Sequence, residues 1–575
     1  MSDNTPDPLL VMHLRGTQAQ MGAQLGQLLR DRGGYEHALE FYPKMASAML
    51  SLAVPNVIRP AAREALRAAL SLGARRLHRA RSRLYPEYAA RSEAMLKAGG
   101  ISPKIGRSMV VMDILQNTVG TLGKAGLLHT TRLQVAAVPA CTTLAVWDDA
   151  SADGQLRHAR NFDFPGAGVW DQAPTVVFCA PDDGLRYAYV TTRGADVPGV
   201  TAFNEAGLSL TAHTRFHRDV DFSSASIIDY GHDIIRRCRT LEDVRRVARE
   251  HRTASTWGLL VSSAEERSAL VVETTSKGVA FSEPKPGASH LTCTNRYIDP
   301  GLSHGEINTS PSFPIYSDAR YTRADQAPLR HRDGLSRADL EALLDDTGDP
   351  GAPDAEADDR LTGNCICTPM TVQSVVFEPE SANLRMSVGP APTGGGPWID
   401  VPHDWDAPVG ANTLPTRPAA NDEPAPSARR AAQLLFVEAT KANLDGASPK
   451  KVLELMERAV DAAPTEPNLR FLAAMFALST NDFATASAHL EHALRREQGS
   501  YRRSLLLLWH GRVLAATGRH DQAKACFDAL AGMPGEEAAH LRAAGAKESK
   551  RPVSKLRLRM VVPDMFLVDG ALPGQ

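Results

Sequence analysis

The hydrophobic pattern of this 575-residue chain changes period twice, and that limits the folds open to it. Over about residues 10–130 apolar side chains recur every three to four positions, the spacing of helices with one buried stripe. GTQAQMGAQLGQLLR (16–30) opens with Thr17 in a capping position, residues 57–98 are rich in Ala, Leu and Arg, and MVVMDILQNTVGTL (109–122) is a further helical run. From about residue 135 the period drops to two. TTLAVWDD and LRHARNFDF flank ASADGQ as a hairpin, TVVFCA and RYAYVTT flank PDDG, and GVTAF and LSLTAHT flank NEAG. After a helical stretch at 223–251, strands resume in TWGLLVSS, ALVVETT, GVAFSEP and HLTCTNRY. Helices at 315–331 and 336–346 precede two closing strands, TVQSVVFEP and LRMSVGP. Hairpins in blocks, with helices between the blocks, predict an α+β fold of antiparallel sheets covered by helices rather than βαβ winding.

Residues 399–428 are rich in Pro, Asp and Ala and read as a linker. Beyond them the period is purely helical. VLELMERAV (452–460) and ASAHLEHAL (486–494) recur at an offset of 34, and LSTNDFATA (478–486) and AATGRHDQA (515–523) at 37. That period predicts tetratricopeptide-like repeats, with an Ala-rich helical bundle as the alternative. The expected organisation is a helix-rich segment over 1–140, a mixed core over 141–398, the linker over 399–428, helical repeats over 429–547 and a tail over 548–575.

A net charge of −2 gives the whole chain no attraction for nucleic acid or for an anionic membrane surface. The first residues lack the basic start and unbroken apolar run of a secretory signal, and no run is long enough for a membrane span. Seven scattered cysteines without zinc spacing fit a reducing cytoplasm. Neither a phosphate-binding loop nor a dinucleotide glycine motif occurs, so no cofactor is implied. The arginines over 59–91 read as a solvated helical face or as an attraction for an acidic partner.

Cys141 heads a strand in VPACTTLAVWDD. A lone Cys is usually a small packed hydrophobe. Its hairpin partner RHARNFDF, however, carries Arg160, Asn161 and Asp163 among apolar residues, and charges inside a strand need a reason; an exposed-edge ion pair is the alternative. Cys-Thr-Thr-x-Ala-Val, a hairpin and then Arg-Asn-x-Asp resembles the acyl-CoA:6-aminopenicillanate acyltransferases, and the wider group of cysteine N-terminal-nucleophile (Ntn) hydrolases that includes choloylglycine hydrolases and acid-ceramidase-like amidases. The resemblance spans about residues 10–395, beginning at GTQAQMGAQLG, and stops before the repeats.

The resemblance implies an αββα four-layer core and self-cleavage after Ala140. A Cys that begins a chain brings its own base, because its α-amine titrates at about 7.7–8.0, close to the thiol. The resemblance further implies that Asp163 anchors the α-amine and Arg160 orders the pocket. Asn204, at the NEAG turn, would donate to the oxyanion, and Asn295 in CTNRY would be a second Asn near the nucleophile. Both also read as ordinary turn or strand-end residues. Arg320, in a Ser-x-x-Arg helix, would support the site, with Arg323 and Arg360 as alternative counterparts and a solvated helix face as the plain reading. The substrate implied is a small-molecule acyl amide, attacked at its C–N bond. The repeats are expected to bind a peptide or protein, or to pack on the core. The rival expectations are a non-catalytic scaffold with a relic fold, and a protease pairing Cys141 with a His.

Overall fold

Two stacked sheets carry the middle of the chain. The computed structural model describes residues 8–125, 140–348, 361–414 and 427–572, apart from 53, 57, 362, 364 and 498. In chain order the strands are β1 (Leu9–Gly16), β2 (Ala140–Asp148), β3 (Gly154–Asp163), β4 (Pro174–Pro181), β5 (Tyr187–Thr192), β6 (Thr201–Asn204), β7 (Leu208–Thr214), β8 (Trp257–Ser263), β9 (Ser268–Thr274), β10 (Val279–Ser282), β11 (His290–Cys293), β12 (Thr371–Glu378), β13 (Asn383–Ser387), β14 (Trp398–Pro402) and β15 (Gly410–Leu414). One sheet has the order β10-β9-β8-β7-β6-β5-β4-β1-β15 and the other β11-β2-β3-β12-β13-β14.

The sheets meet face to face because alternate side chains of each are apolar. Val176, Phe178, Val190 and Phe203 of the first pack on Val375, Phe377, Leu384 and Met386 of the second. Ala145, Trp147 and Leu156 meet Leu260 and Val271 further along. Helices cover both outer faces. Leu340 and Leu344 of the helix Arg337–Leu344 lie on Leu144, Ala159 and Val376, and the helix Ser312–Arg330 covers β2 and β11. The helices Ile227–Arg237 and Leu241–Glu250 cover β6 to β10, while Gln18–Arg32 covers β1 and β4. The arrangement is the αββα sandwich, with helical segments before and after it.

Thr17 caps its helix as its position predicts. Its hydroxyl accepts from the Gln20 amide at 3.2 Å, and the Gln20 side chain accepts from the Thr17 amide at 2.8 Å. The helix-rich leading segment opens on a strand that the pattern did not mark: LLVMHLRG is β1, parallel to β4 and antiparallel to β15. Both of its faces are covered from Leu9 to Leu14, so the alternation that marks a half-buried strand is missing. The segment over 399–428 is not linker from its start. Residues 398–402 extend the six-stranded sheet as β14, and 410–414 close the nine-stranded sheet as β15. Edge strands need one partner and little apolar surface, and β14 ends on Pro402 as an edge allows. Between them Trp405 packs on Phe178 with ring centroids 5.3 Å apart. Residues 415–426 lie outside the described residues.

Seven helices follow, from Ala428–Asp445 to Ala539–Lys550, each packed on the next. The recurring LSTNDFATA and AATGRHDQA peptides fall on equivalent helix–helix turns, with Asn481 (φ 69°) and Gly518 (φ 83°) at matching left-handed positions. A two-stranded ribbon, β16 (Val562–Asp564) and β17 (Asp569–Ala571), ends the described chain. This unit grips the helix Ser312–Arg330: Ser312 Oγ donates to Asp569 at 2.8 Å and Arg502 donates to Tyr316 Oη at 3.0 Å.

Met12 is fully buried in β1 whereas Arg15 of the same strand is exposed. Met12→Ala is therefore expected to cost about 2–5 kcal/mol, read from urea-unfolding midpoints, and Arg15→Ala about 0.5 kcal/mol or less.

Candidate active site

Side chains alternate along β2, so Cys141 and Thr143 face the opposite sheet while Thr142 and Leu144 face the helices. Thr143 Oγ1 accordingly lies 3.2 Å from Thr211 Oγ1 on β7, and Leu144 joins the helix-side apolar cluster. β3 runs antiparallel with Ala140 opposite Asp163, Cys141 opposite Phe162 and Thr143 opposite Arg160.

Arg160 is fully buried and spans the gap between the sheets. It donates to the Val200 carbonyl at 2.6 Å, to the Thr201 hydroxyl and to the Ala212 carbonyl at 2.7 Å. Its Nη2 also lies 3.6 Å from Cys141 Sγ. Burial pushes the Cys141 thiol above its usual pKa, and the Arg160 guanidinium partly offsets that.

The main-chain nitrogen of Cys141 is held separately. It donates to Asn295 Oδ1 at 2.9 Å. Asn295 follows β11, and its Nδ2 donates to the Thr214 carbonyl at 2.9 Å. Arg320, also buried, closes the network: Nη2 donates to Asn295 Oδ1 at 2.8 Å, and Nη1 donates to the Cys141 carbonyl at 2.5 Å and to Thr142 Oγ1 at 2.9 Å. Ser317 stands one helical turn before Arg320, and its hydroxyl accepts from the Asn295 amide at 3.1 Å. Both polar positions of the Ser-x-x-Arg helix thus act on the same Asn.

Asp163 lies at the end of β3, across from the bond that precedes Cys141. Thr371 Oγ1 donates to its Oδ1 at 2.6 Å, while Oδ2 is buried with no hydrogen-bond partner among the described residues. Burial raises this carboxyl to about pKa 6, against the pull of Arg320.

The structure thus gathers Cys141, Arg160, Asp163, Asn295 and Arg320, and leaves Asn204 out. The Asn204 amide donates to the carbonyls of Ile235 and Cys238 at 2.8 and 2.9 Å, and its oxygen accepts from the amides of Ala206 and Leu208. All its groups serve the turn and a neighbouring helix end, so the expectation that it donates to an oxyanion is corrected. Arg323 donates to Asp346 at 2.9 Å and does not join the site, and Arg360 lies outside the described residues. Sequence reasoning did not single out Thr142, Ser317 or Thr371. Ser317 was in view as part of its motif, whereas a hydroxyl on a distant strand carries no local signal.

Among the described residues no histidine hydrogen-bonds to Cys141 Sγ. His158 lies between Ser262 Oγ at 2.8 Å and Thr211 Oγ1 at 3.0 Å, and burial lowers its pKa to about 3. Next to the network is a narrow cavity of about 40 Å³, walled by Phe162, Val200 and Thr214 of the core and by Val110 and Met112 of the leading segment.

The Asp163 shift has a stability consequence. Between about pH 4 and 6 the unfolded carboxyl (3.8) has lost its proton and the folded one (about 6) keeps it. This group therefore makes stability fall as pH rises through that window and level off above it. Asp163→Asn is expected to remove the decline, on the order of 2–3 kcal/mol by pH 7, read by comparing urea midpoints of both proteins at the two ends of the window.

No curated protein matches the chain. Among solved structures, the Caenorhabditis elegans ortholog of N-acylethanolamine-hydrolyzing acid amidase aligns at 14% identity and a TM-score of 0.28, covering 48% of this chain and 100% of that one. The sequence of residues 152–350 matches a family model, and this stretch holds Arg160, Asp163, Asn295 and Arg320 while Cys141 stands just before it. Over those residues the chain is similar to the acyl-coenzyme A:6-aminopenicillanic acid acyl-transferase family.

Proposed function

We propose that this chain is a cysteine Ntn hydrolase or acyltransferase that cleaves itself between Ala140 and Cys141 and then acts on the C–N bond of a small acyl amide. The observation that carries this reading is the treatment of the Cys141 main-chain nitrogen. Asn295 accepts from it, and Arg320 and Ser317 hold Asn295 in turn. A buried backbone N–H needs an acceptor in any case, but here the acceptor is a side-chain oxygen held by two further groups rather than a strand carbonyl. Such an acceptor stays in place when that nitrogen is freed as an amine and serves as the base. The similarity of residues 152–350 to an acyl-transferase family supports the same class of chemistry.

In the first stage the Cys141 sulfur attacks the Ala140 carbonyl carbon. The acyl group moves from nitrogen to sulfur, and water hydrolyses the thioester, leaving a carboxylate on Ala140 and an amine on Cys141. The unpartnered Asp163 oxygen is the nearby acceptor for the ammonium form of that amine. In the second stage the amine takes the thiol proton, the thiolate attacks the substrate carbonyl, and the ammonium returns the proton to the departing amine. Water or a second amine then takes the acyl group. Arg160, against the sulfur, stabilises its anionic form. The apolar walls of the cavity beside Phe162 suit the first atoms of an apolar acyl group. The helices over 428–550 serve as tetratricopeptide-like repeats that present a peptide- or protein-binding surface, and seven free cysteines fit a reducing, cytoplasmic setting.

Intact-mass measurement tests the first stage. Wild type is expected to separate under denaturing conditions into fragments ending at 140 and beginning at 141, and Cys141→Ala to remain whole. The new N-terminal cysteine should react with a 2-cyanobenzothiazole probe. A wild-type chain that stays whole and gives no adduct overturns the reading. Arg320→Lys keeps the charge but cannot reach three acceptors in one plane. It is expected to slow cleavage by about 100-fold, as misplacement at a reacting centre does, with the thermal midpoint changed far less.

A further inference from the structure

The largest cavity among those described lies far from Cys141, between the last helices and the terminal ribbon. Its volume is about 920 Å³, within the range of small-molecule sites. Leu505 and Leu508 of the helix Ser500–Ala516, Leu541 of the helix Ala539–Lys550, and Val553 and Leu572 give it apolar walls.

Its polar groups are unevenly charged. Arg512, Lys547, Arg551 and Arg557 line it against two acids, Glu548 and Asp569. Both acids are already engaged. Glu548 accepts from Arg512 at 2.8 and 3.0 Å, and Asp569 accepts from Ser312 Oγ at 2.8 Å and from the Gly570 amide at 2.8 Å. Burial disfavours the charged form of His540. Lys547 and Arg551 are exposed at the rim.

Trp509 forms part of the cavity wall and is fully buried. The Cε2–Cζ2 edge of its ring packs on Gly570, beside Met475, so it contributes apolar ring surface.

We propose that this cavity is a second ligand site, for an amphipathic monocarboxylic acid of the fatty-acid kind. The alkyl body fills the leucine-lined space. The carboxylate meets the cationic side of the cavity at Lys547 and Arg551. The site is independent of whatever chemistry occurs at Cys141.

The test uses the full chain carrying Cys141→Ala, with dodecanoate as probe and dodecanol as its uncharged counterpart, followed by isothermal titration calorimetry below the micellar range. Dodecanoate is expected to bind with saturation and at least ~10-fold more tightly than dodecanol, the worth of a hydrogen bond to a charged group. The double variant Lys547→Glu/Arg551→Glu changes only exposed side chains and should retain the fold, checked by its unfolding midpoint. It is expected to weaken dodecanoate at least ~10-fold and to leave dodecanol unchanged. Absence of saturable binding, equal affinity for the acid and the alcohol, or undiminished dodecanoate binding by the double variant overturns the proposal.

Discussion

The buried guanidinium of Arg320 is the interaction on which the site depends. It carries a charge in a buried place, and three oxygen acceptors from β2 and from the end of β11 compensate for the loss of hydration. Those acceptors include the carbonyl of Cys141 itself, so the position of Cys141 is fixed by the helix Ser312–Arg330 as much as by its own sheet. The same helix carries Ser317 to Asn295 near its middle, and Ser312 and Tyr316 to the C-terminal unit near its start. One helix therefore joins the six-stranded sheet, Cys141 and the C-terminal helical unit.

A second buried guanidinium works from the other side. Arg160 ties β3 to β6 and β7 through carbonyls and a hydroxyl, with no ion pair among the described residues. Neutral acceptors leave its positive charge unbalanced, and the group that profits is the sulfur 3.6 Å away. A carboxylate placed squarely on Arg160 would quench this effect. Asp163 is instead held by Thr371 at the end of the strand, and burial raises its carboxyl to about pKa 6. The two arginines divide the labour: one holds the backbone of Cys141 and the other conditions its side chain.

Much of this was legible in the sequence because it is local. Cys141, Arg160 and Asp163 lie on one hairpin, whose register follows from the short turn between the strands. Asn295 and Arg320 sit in short motifs at the end of a strand and on one face of a helix. What was hidden has physical causes. Asn204 was misread because an Asn that shapes a turn and an Asn that donates to a reaction centre look alike until its hydrogen bonds are traced. β1 lost its alternation by being buried on both faces, and β14 and β15 lost their apolar signature by being edges. Thr371 reaches Asp163 across 208 residues of chain, and no spacing rule reports such a contact.

The position of β1 in the nine-stranded sheet carries one more implication. Leu9 to His13 pair with Gly410 to Leu414 across about 400 residues of chain, and the other edge of β1 pairs with β4. The sheet is therefore assembled through very distant contacts, a slow route whose loop-closure entropy an intact chain meets only once. Cutting the bond before Cys141 would leave every strand in place but turn that assembly into an encounter between two separate polypeptides. Renaturation after complete unfolding would then depend on protein concentration. The durability of the mature molecule would rest on the height of its unfolding barrier rather than on a reversible balance. The leading segment would in this respect be a template for the fold that becomes a permanent subunit of it.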